Sequence, residues 1–424
     1  MIALLFITLG VGLFFSVPVS FAIGISAYVF LVGSDAAPLS IIPQRMIEGV
    51  DNFSIMALPL FILSGELMSL SCTPRLMRLA NLLIGRVPGG LAATTAIGCG
   101  FFGAISGSGV ATTAAIGGVM APEMIKAKYS PGFTASVVTA AGVLGMVIPP
   151  SFCMVVYGAS GGVSIAKLFL GGFIPGFLAI GSLVAYSIFM GSRRGYRAAE
   201  YTYQPGEKIK IFFDALLPLV MPVIILGGVL SGLVTPTESA MVAVLYALGL
   251  EVLVYREITL RKFIHLCSRS AVSSAIIMFI MGTAASFGWI MATENVPKLF
   301  AGIILSITNS PLIVYFLIMM LLLILGTFME SVSIIILVTP ILLPLVVSFG
   351  MDPVHFGVAL MLAVAIGGVT PPLAVGLFVA TRIIGCRVED SFPEILHVIA
   401  ILIVNLALCF FVPKIVLFLP QFLN

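Results

Sequence analysis

The chain has 424 residues, of which 60% are hydrophobic and only 9% are charged. Soluble domains carry about 25% charged residues, so water is not the main solvent of this protein. The formal net charge of +3 is too small for the basic surface that nucleic-acid binding needs. The composition predicts an all-α polytopic membrane protein in a lipid bilayer.

Apolar segments long enough to cross a membrane follow one another from the start of the chain. The hydrophobic pattern predicts five crossings in the first half, which is an odd number. They lie at residues 2–15, 17–33, 53–71, 133–166 and 168–190. The first two segments flank a proline and are compatible with two short helices or with one kinked helix.

The long polar stretch at residues 191–213 is a predicted linker. Its basic side chains are Arg193, Arg194, Arg197, Lys208 and Lys210. Basic loops remain on the cytoplasmic side of a membrane. We therefore predict a cytoplasmic linker between a first unit, residues 1–190, and a second unit, residues 214–424.

Helix-breaking residues recur between the two units at a nearly constant separation, which predicts an internal repeat. At a separation of 222 residues, the matched positions are Pro122 and Pro344, Pro131 and Pro353, Gly145 and Gly367, Pro149 and Pro371, and Pro150 and Pro372. At a separation of 223 residues, they are Gly65 and Gly288, Met68 and Met291, and Pro74 and Pro297.

Charge placement predicts the orientation of the two copies. The loop at residues 35–51 is acidic and is expected outside, whereas the equivalent loop at 256–269 is basic and is expected in the cytoplasm. Equivalent loops on opposite faces, and an odd number of crossings in one unit, are typical of inverted repeats.

Each unit contains an apolar segment that turns back at a motif rich in small residues. In the first unit the segment is 90–128 and the motif is GAISGSG, residues 103–109. In the second unit the segment is 311–350 and the motif is LGTFMES, residues 325–331. Such backbone at membrane depth requires protein or a water-filled cavity around it, so we predict two re-entrant helical hairpins.

The segment after each hairpin contains a double proline. The motifs are GMVIPPS, residues 145–151, and GGVTPPL, residues 367–373. Two consecutive prolines remove two helix donors. We therefore predict a discontinuous transmembrane helix at about 133–166 and another at about 354–384.

Interrupted helices have free carbonyl groups at their C-terminal ends, which attract cations such as sodium. Each hairpin tip and the neighbouring helix break therefore predict one cation site. The first consists of Ser106, Ser108, Gly145, Ile148 and Pro150, and the second consists of Gly326, Thr327, Gly367, Thr370 and Pro372. The alternative is that these small residues only allow helices to pack closely.

Few acidic side chains lie at membrane depth, and Glu330 at the second hairpin tip is the best placed for function. We expect it to bind a substrate hydroxyl, to lie beside a cation or to be protonated. Glu66 and Glu238 are compatible with a functional role or with a structural one. A nucleophile, a base and an orienting group do not occur together in the sequence, so we do not expect an enzyme.

Several of these motifs, in this order, resemble one family over essentially the whole chain. They are ALPLFILSGELM (57–68), GAISGSGVAT (103–112), GVLGMVIPPS (142–151), LVTPTESA (233–240), LGTFMES (325–331) and GGVTPP (367–372). The chain resembles the large membrane (M, DctM-like) subunit of tripartite ATP-independent periplasmic (TRAP) transporters.

The resemblance implies a multi-pass protein of the bacterial inner membrane with an elevator mechanism, similar to the ion transporter superfamily. It implies coupling to sodium ions, two or more, and a small organic anion as substrate: a C4-dicarboxylate, sialic acid, a sugar acid or a keto acid. It also implies two partners, a small four-helix membrane subunit and a periplasmic substrate-binding protein. By motif, the substrate would contact Ser108, Ser151 and Glu330.

The alternative is a self-sufficient sodium-coupled divalent-anion symporter that forms a homodimer. This class resembles the same inverted-hairpin architecture but needs no binding protein. Its twin Ser-Asn-Thr hairpin motifs are absent from this sequence. The residues alone leave the substrate, the number of ions and the partner surfaces open.

Overall fold

A computed structural model of the chain describes residues 2–34, 37–196, 204–296, 298–299, 302, 308, 310–372 and 374–423. Within these residues the secondary structure is helical, without strands. Seven of the described helices are long and apolar enough to cross a membrane, or up to eight if one bent pair counts as a single span. The predicted all-α polytopic class is confirmed.

The described part of the first half contains ten α-helices. They are α1 (Ile2–Phe14), α2 (Val19–Ser34), α3 (Ile41–Val50), α4 (Ala57–Ser69), α5 (Cys72–Ile84), α6 (Gly90–Ser106), α7 (Gly109–Lys126), α8 (Pro131–Val143), α9 (Phe152–Gly161) and α10 (Ile165–Arg194).

The described part of the second half contains nine. They are α11 (Glu207–Leu230), α12 (Pro236–Gly249), α13 (Leu260–Thr293), α14 (Pro311–Phe328), α15 (Ser331–Ser348), α16 (Pro353–Gly367), α17 (Val375–Ile384), α18 (Glu394–Phe411) and α19 (Pro413–Leu417). Helix α10 extends into the start of the predicted linker, and helix α11 begins before the linker's predicted end. Arg197 and Pro297 lie outside the described residues.

The segment around Pro18 forms two short helices rather than one kinked helix. Helices α1 and α2 pack against each other, and a Cβ atom placed on Gly12 would lie 3.1 Å from the Cβ of Ala22. Residues ten apart in a continuous helix would be about 15 Å apart along its axis. The chain therefore folds back at this point.

The loop expected at residues 35–51 contains a helix, so this part of the prediction was wrong. Helix α3 lies along α13, where Ser286 Oγ donates to the carbonyl oxygen of Ile42 at 3.0 Å. A Cβ on Gly282 of α13 would lie only 3.1 Å from the carbonyl oxygen of Met46, so the two backbones approach closely. This short amphipathic helix was not predicted because three of its ten residues are polar, so it does not form a long apolar run.

The crossing expected at residues 53–71 is also subdivided. A 3₁₀ turn, Phe53–Met56, leads into α4, and the sequence analysis did not predict α5 behind it. Helix α5 buries Leu76, Met77 and Ala80 on one face, while Arg78 is exposed and Arg75 is half-buried over the ring of Tyr255. Burial of one apolar stripe is what makes such a short helix stable.

The segments expected as hairpins each form a pair of helices. Helices α6 and α7 are joined at Gly107, whose φ of +62° is left-handed and suits glycine. Helices α14 and α15 are joined at Met329 and Glu330. The segments expected as discontinuous helices each form two helices around a double proline: α8 and α9 in the first half, and α16 and α17 in the second.

The most buried helices are those that precede the double prolines. Residues 132–143 of α8 and residues 354–367 of α16 are buried without exception. The two halves touch here, since Tyr157 Oη of α9 donates to the carbonyl oxygen of Pro353 at 2.7 Å. The interruptions in these helices therefore lie in the protein interior, where their free backbone groups can form a site.

Candidate functional site

Each hairpin contacts the neighbouring interrupted helix through a pair of glycines. A Cβ on Gly103 would lie 2.7 Å from the Cα of Gly145, and a Cβ on Gly367 would lie 2.3 Å from the carbonyl oxygen of Gly326. Neither contact has room for a side chain. Gly103 and Gly326 are 223 residues apart, and Gly145 and Gly367 are 222 apart, the same separations that relate the recurring prolines.

Hydroxyl groups connect the two sides of the first hairpin tip. Ser106 Oγ lies 2.9 Å from Thr112 Oγ1 and 3.4 Å from the carbonyl oxygen of Ser108. Ser108 caps α7, since its Oγ accepts a hydrogen bond from the amide of Ala111 at 3.3 Å. The sequence analysis missed Thr112, although it lies at the end of the GAISGSGVAT motif, six residues after Ser106.

The first helix break lies directly against this tip. A Cβ on Gly145 would lie 3.0 Å from the carbonyl oxygen of Ser108, and a Cβ on Gly107 would lie 3.1 Å from that of Pro150. The structure thus brings together four residues of the first predicted cation site. The side chain of the fifth, Ile148, is directed toward α10, where a Cβ on Gly176 would lie 3.0 Å from it.

The second hairpin tip is organised differently. Thr327 Oγ1 donates to the carbonyl oxygen of Ile324, and Thr370 Oγ1 donates to that of Ile366, each at 2.7 Å. Both hydroxyls thus bond within their own helical turn, whereas Ser106 and Thr112 bond across the first tip. Pro372, the last residue of the second predicted site, is exposed.

A cavity of about 30 Å³ lies where the tips and breaks of both halves meet. Its lining residues are Val110, Val143, Met146, Gly326, Met329, Glu330, Ser331, Gly367, Gly368, Ala374, Val375 and Gly376. Of the three predicted substrate residues, only Glu330 lines it. Ser151 is buried and donates to the carbonyl oxygen of Met146 at 2.6 Å, and Ser108 is half-buried at the start of α7.

Glu330 is the cap of helix α15 as well as a wall of the cavity. Its Oε2 accepts hydrogen bonds from the amides of Val332 and Ser333 at 3.0 and 3.2 Å. A carboxylate at a helix N-terminus is stabilised by these amides and by the helix dipole. The side chain is consequently held in one position at the cavity edge.

The other two acids singled out in the sequence each contact a neighbouring polar group. Glu238 and Thr235 form a capping box at the start of α12, and Glu66 Oε1 lies 3.5 Å from a guanidinium nitrogen of Arg269. Neither residue lines the cavity.

The oxygens at the first tip are neutral hydroxyl and carbonyl groups, whereas the second tip also carries the Glu330 carboxylate. Hard cations prefer oxygen ligands, and carbonyl groups at helix C-termini carry partial negative charge. In the first half, the Thr112 hydroxyl and the Ser108 carbonyl oxygen lie within 3.5 Å of Ser106 Oγ. The donor set at this tip therefore suits a small monovalent cation.

Comparisons with known proteins agree with this architecture. The family model described as "Tripartite ATP-independent periplasmic transporter, DctM component" matches residues 6–415. The chain is 40% identical to the isethionate TRAP transporter permease protein DctMQ of Oleidesulfovibrio alaskensis, over 95% of this chain and 64% of that relative. It is 36% identical to the sialic acid TRAP transporter large permease protein SiaM of Vibrio cholerae, over 96% of each chain.

A solved structure shows a similar fold. The crystal structure of the Alcanivorax borkumensis YdaH transporter superposes with a TM-score of 0.59 and 15% identity, over 86% of each chain. The family match extends over nearly the whole chain and confirms the family that the motifs predicted. The chain therefore belongs to the DctM component family of tripartite ATP-independent periplasmic transporters, and it is a large permease of the inner membrane.

Proposed function

We propose that this permease takes up a small organic anion by sodium symport. The observation that carries the proposal is the cavity at which both hairpin tips and both helix breaks meet. Interrupted helices at one site provide N-terminal ends for an anion and C-terminal ends for cations. A secondary transporter needs both kinds of site close together, so that binding of one ligand favours the other.

Two sodium sites are proposed, one in each half. The first uses oxygens of Ser106, Ser108, Gly145, Ile148 and Pro150, and Thr112 is added because its hydroxyl contacts Ser106. The second uses Gly326, Thr327, Gly367, Thr370 and Pro372. The paired glycine contacts support this assignment, because they place a hairpin carbonyl beside a helix break in each half.

The substrate is proposed to bind at Glu330, with Ser108 and Ser151 contributing once the first tip moves. Relatives are named for isethionate and for sialic acid, which supports an organic acid as the class of substrate. C4-dicarboxylates, sugar acids and keto acids belong to the same class.

An elevator-type movement is proposed because the cavity is too small in this conformation. A volume of about 30 Å³ is of the order of one or two water molecules, and an organic anion of several heavy atoms does not fit. The hairpin tips must therefore separate from the helix breaks before substrate binds. The hydrogen bond between Tyr157 of α9 and Pro353 of α16 joins the two interrupted helices and supports their movement as one body.

Two protein partners complete the proposal: a small four-helix membrane subunit and a periplasmic binding protein that delivers the substrate. The isethionate relative is longer than this chain and is named DctMQ, which supports a small subunit. The alternative is a homodimeric divalent-anion symporter that acts alone.

The test is uptake of radiolabelled organic acids into proteoliposomes. Vesicles contain the permease with its small subunit, with or without an inward sodium gradient and with or without the binding protein. Uptake that requires both sodium and the binding protein is expected. Uptake by the permease alone would favour the self-sufficient symporter, and uptake that is independent of sodium would contradict the proposed coupling.

A further inference from the structure

The turn between α12 and α13 exposes basic and apolar side chains side by side. A π-helical segment, Leu250–Tyr255, prolongs α12, and α13 begins at Leu260. Leu253 and Leu260 are 73% and 76% exposed, and Arg256 and Arg261 are exposed beside them. In a protein of the inner membrane, exposed apolar side chains at the end of a spanning helix face lipid. The same surface therefore offers contacts to lipid and positive charge.

The acidic side chains of this turn are directed away from its exposed surface. Residues 250–269 contain four arginines and lysines but only two acids. Glu251 is fully buried and accepts a hydrogen bond from Ser71 Oγ at 2.7 Å. Glu257 Oε1 lies 3.7 Å from a guanidinium nitrogen of Arg75 on α5. Both acids thus contact residues at the start of α5, and the exposed surface is basic.

The first turns of α13 extend beyond the hydrocarbon core. Its 34 residues span about 50 Å, whereas the hydrocarbon core of a bilayer is about 30 Å thick. Charged side chains avoid that core, so the end that carries Arg261 and Arg269 lies at the level of the lipid headgroups. Arg261, His265 and Arg269 are spaced by four residues and line one side of the helix. Leu260 and Ile264 line the adjacent side and are exposed.

Arg256 has a backbone conformation that residues with a side chain rarely adopt. Its φ is +57°, in the left-handed region, where a Cβ atom is unfavourable and glycine is not. Its guanidinium group forms neither a hydrogen bond nor an ion pair with any residue that the structure describes. A side chain held in such a conformation without an internal partner points to an external one.

We infer that the turn between α12 and α13 binds the headgroup of an anionic phospholipid. The phosphate is bound by Arg256 and Arg261, and the acyl chains pack against Leu253 and Leu260. Anionic lipids attract basic segments at the cytoplasmic ends of membrane helices, and the positive charge of this loop assigns it to that side. A soluble anion would use the arginines alone, whereas the exposed leucines beside them favour a lipid.

Native mass spectrometry of the full-length permease in detergent tests this site. The protein is titrated with phosphatidylglycerol or with phosphatidylcholine of the same acyl chains, and the dissociation constant of the first bound lipid is measured. Phosphatidylglycerol is expected to bind at least about fivefold more tightly, and its affinity should fall as salt increases. Equal affinity for the two lipids would overturn the inference. Displacement of phosphatidylglycerol by inorganic phosphate would identify a site for a soluble anion and would also overturn it.

Single substitutions locate the site. Arg256→Gly and Arg261→Gln are each expected to weaken phosphatidylglycerol binding about fivefold and to leave phosphatidylcholine binding unchanged. Arg193→Gln is the matched control, because it removes an exposed charge at the cytoplasmic end of α10, and it should leave both affinities unchanged. An equal loss in Arg193→Gln would show that the total charge of the protein attracts the lipid, which contradicts a site at this turn.

Thermal unfolding without lipid separates binding from folding. Glycine adopts the left-handed conformation without strain, so Arg256→Gly should melt at or above the temperature of the wild type. Weaker lipid binding by a protein of undiminished stability does not come from misfolding. If Arg256→Gly melts lower, Arg261→Gln decides, because Arg261 is exposed on α13. Undiminished phosphatidylglycerol binding by the folded variants would overturn the inference.

Discussion

The two halves share a backbone arrangement but differ in the side chains that surround it. In the first half, residues 144–151 are all buried and the tip is bridged by the hydroxyls of Ser106 and Thr112. In the second half, Pro372 is exposed, and the tip carries a carboxylate, Glu330. The glycine contacts and double prolines thus occur in both halves, while the chemistry of the tips differs. The shared parts suit cations, which need backbone oxygens, and the differing parts suit an asymmetric substrate.

The largest effect is expected from a methyl group at the second glycine contact. In Gly367→Ala the new Cβ would lie 2.3 Å from a backbone oxygen of Gly326, whereas in Gly145→Ala it would meet the side chain of Thr112 at 2.5 Å. A side chain can rotate and a backbone cannot, and overpacking costs about 1–3 kcal/mol. Sodium-dependent uptake should therefore fall at least about tenfold in Gly367→Ala, and less in Gly145→Ala.

The matched control for both variants is Gly118→Ala, because a Cβ at Gly118 of α7 would meet nothing within 4 Å. It should retain uptake. Equal uptake in all three variants would contradict the importance of the glycine contacts.

A smaller effect is expected from the two helix caps, Ser108 and Glu330. Each truncation, Ser108→Ala or Glu330→Ala, removes a cap worth about 1 kcal/mol, so both proteins should fold. Uptake should decrease in both, and more in Glu330→Ala, because only Glu330 lines the cavity. Thermal unfolding in detergent measures the loss of stability from the missing cap. Uptake at saturating sodium measures the loss of transport. If a variant loses stability but retains full uptake, the substituted residue does not belong to the transport site.

The hydroxyl bridge in the first half predicts a change in sodium dependence. Thr112→Val removes the partner of Ser106, and a hydrogen bond contributes about 0.5–1.5 kcal/mol. The sodium concentration for half-maximal uptake should rise roughly threefold to tenfold. Thr95→Val is the control, since Thr95 is equally buried and its hydroxyl bonds within α6 to the carbonyl oxygen of Leu91. A similar shift in both variants would mean that general packing is responsible.

The smallest effect concerns the contact between the halves. Tyr157→Phe removes the hydrogen bond to Pro353 and should reduce the free energy of unfolding by about 1 kcal/mol, with little change in sodium dependence. Tyr315→Phe removes a similar bond within the second half, to the carbonyl oxygen of Phe349 at 2.9 Å. If the halves move together, only Tyr157→Phe should also slow uptake. Equal uptake rates in the two variants would contradict a shared movement.

The sequence predicted the structure best at positions where proline or glycine restricts the backbone conformation. Prolines and glycines restrict backbone geometry directly, so the hairpin and double-proline segments could be located from their positions. Helices α3 and α5 were missed because each is short and mixes charged with apolar residues. Their stability comes from packing against other helices, such as α13, and a search for long apolar runs does not detect it.

The candidate site was predictable only in part. Glu330 stood out as an acid at membrane depth, and the paired glycines follow from the repeat. Thr112 and the cavity residues Ala374 and Gly376 reach the site through tertiary packing, which has no local signal in the sequence. The sequence grouped Ser108 and Ser151 with Glu330, yet they do not line the cavity in this conformation. The assignment of these two residues to the substrate stays a prediction.

The contact between Gly326 and Gly367 has a mechanical consequence. Two backbones that touch without an intervening side chain have no rotamer through which a small displacement could be absorbed. A displacement of the backbone at the helix break therefore displaces the hairpin backbone by nearly the same distance. The connection between the second hairpin and the second helix break is thus stiff because no side chain separates the two backbones.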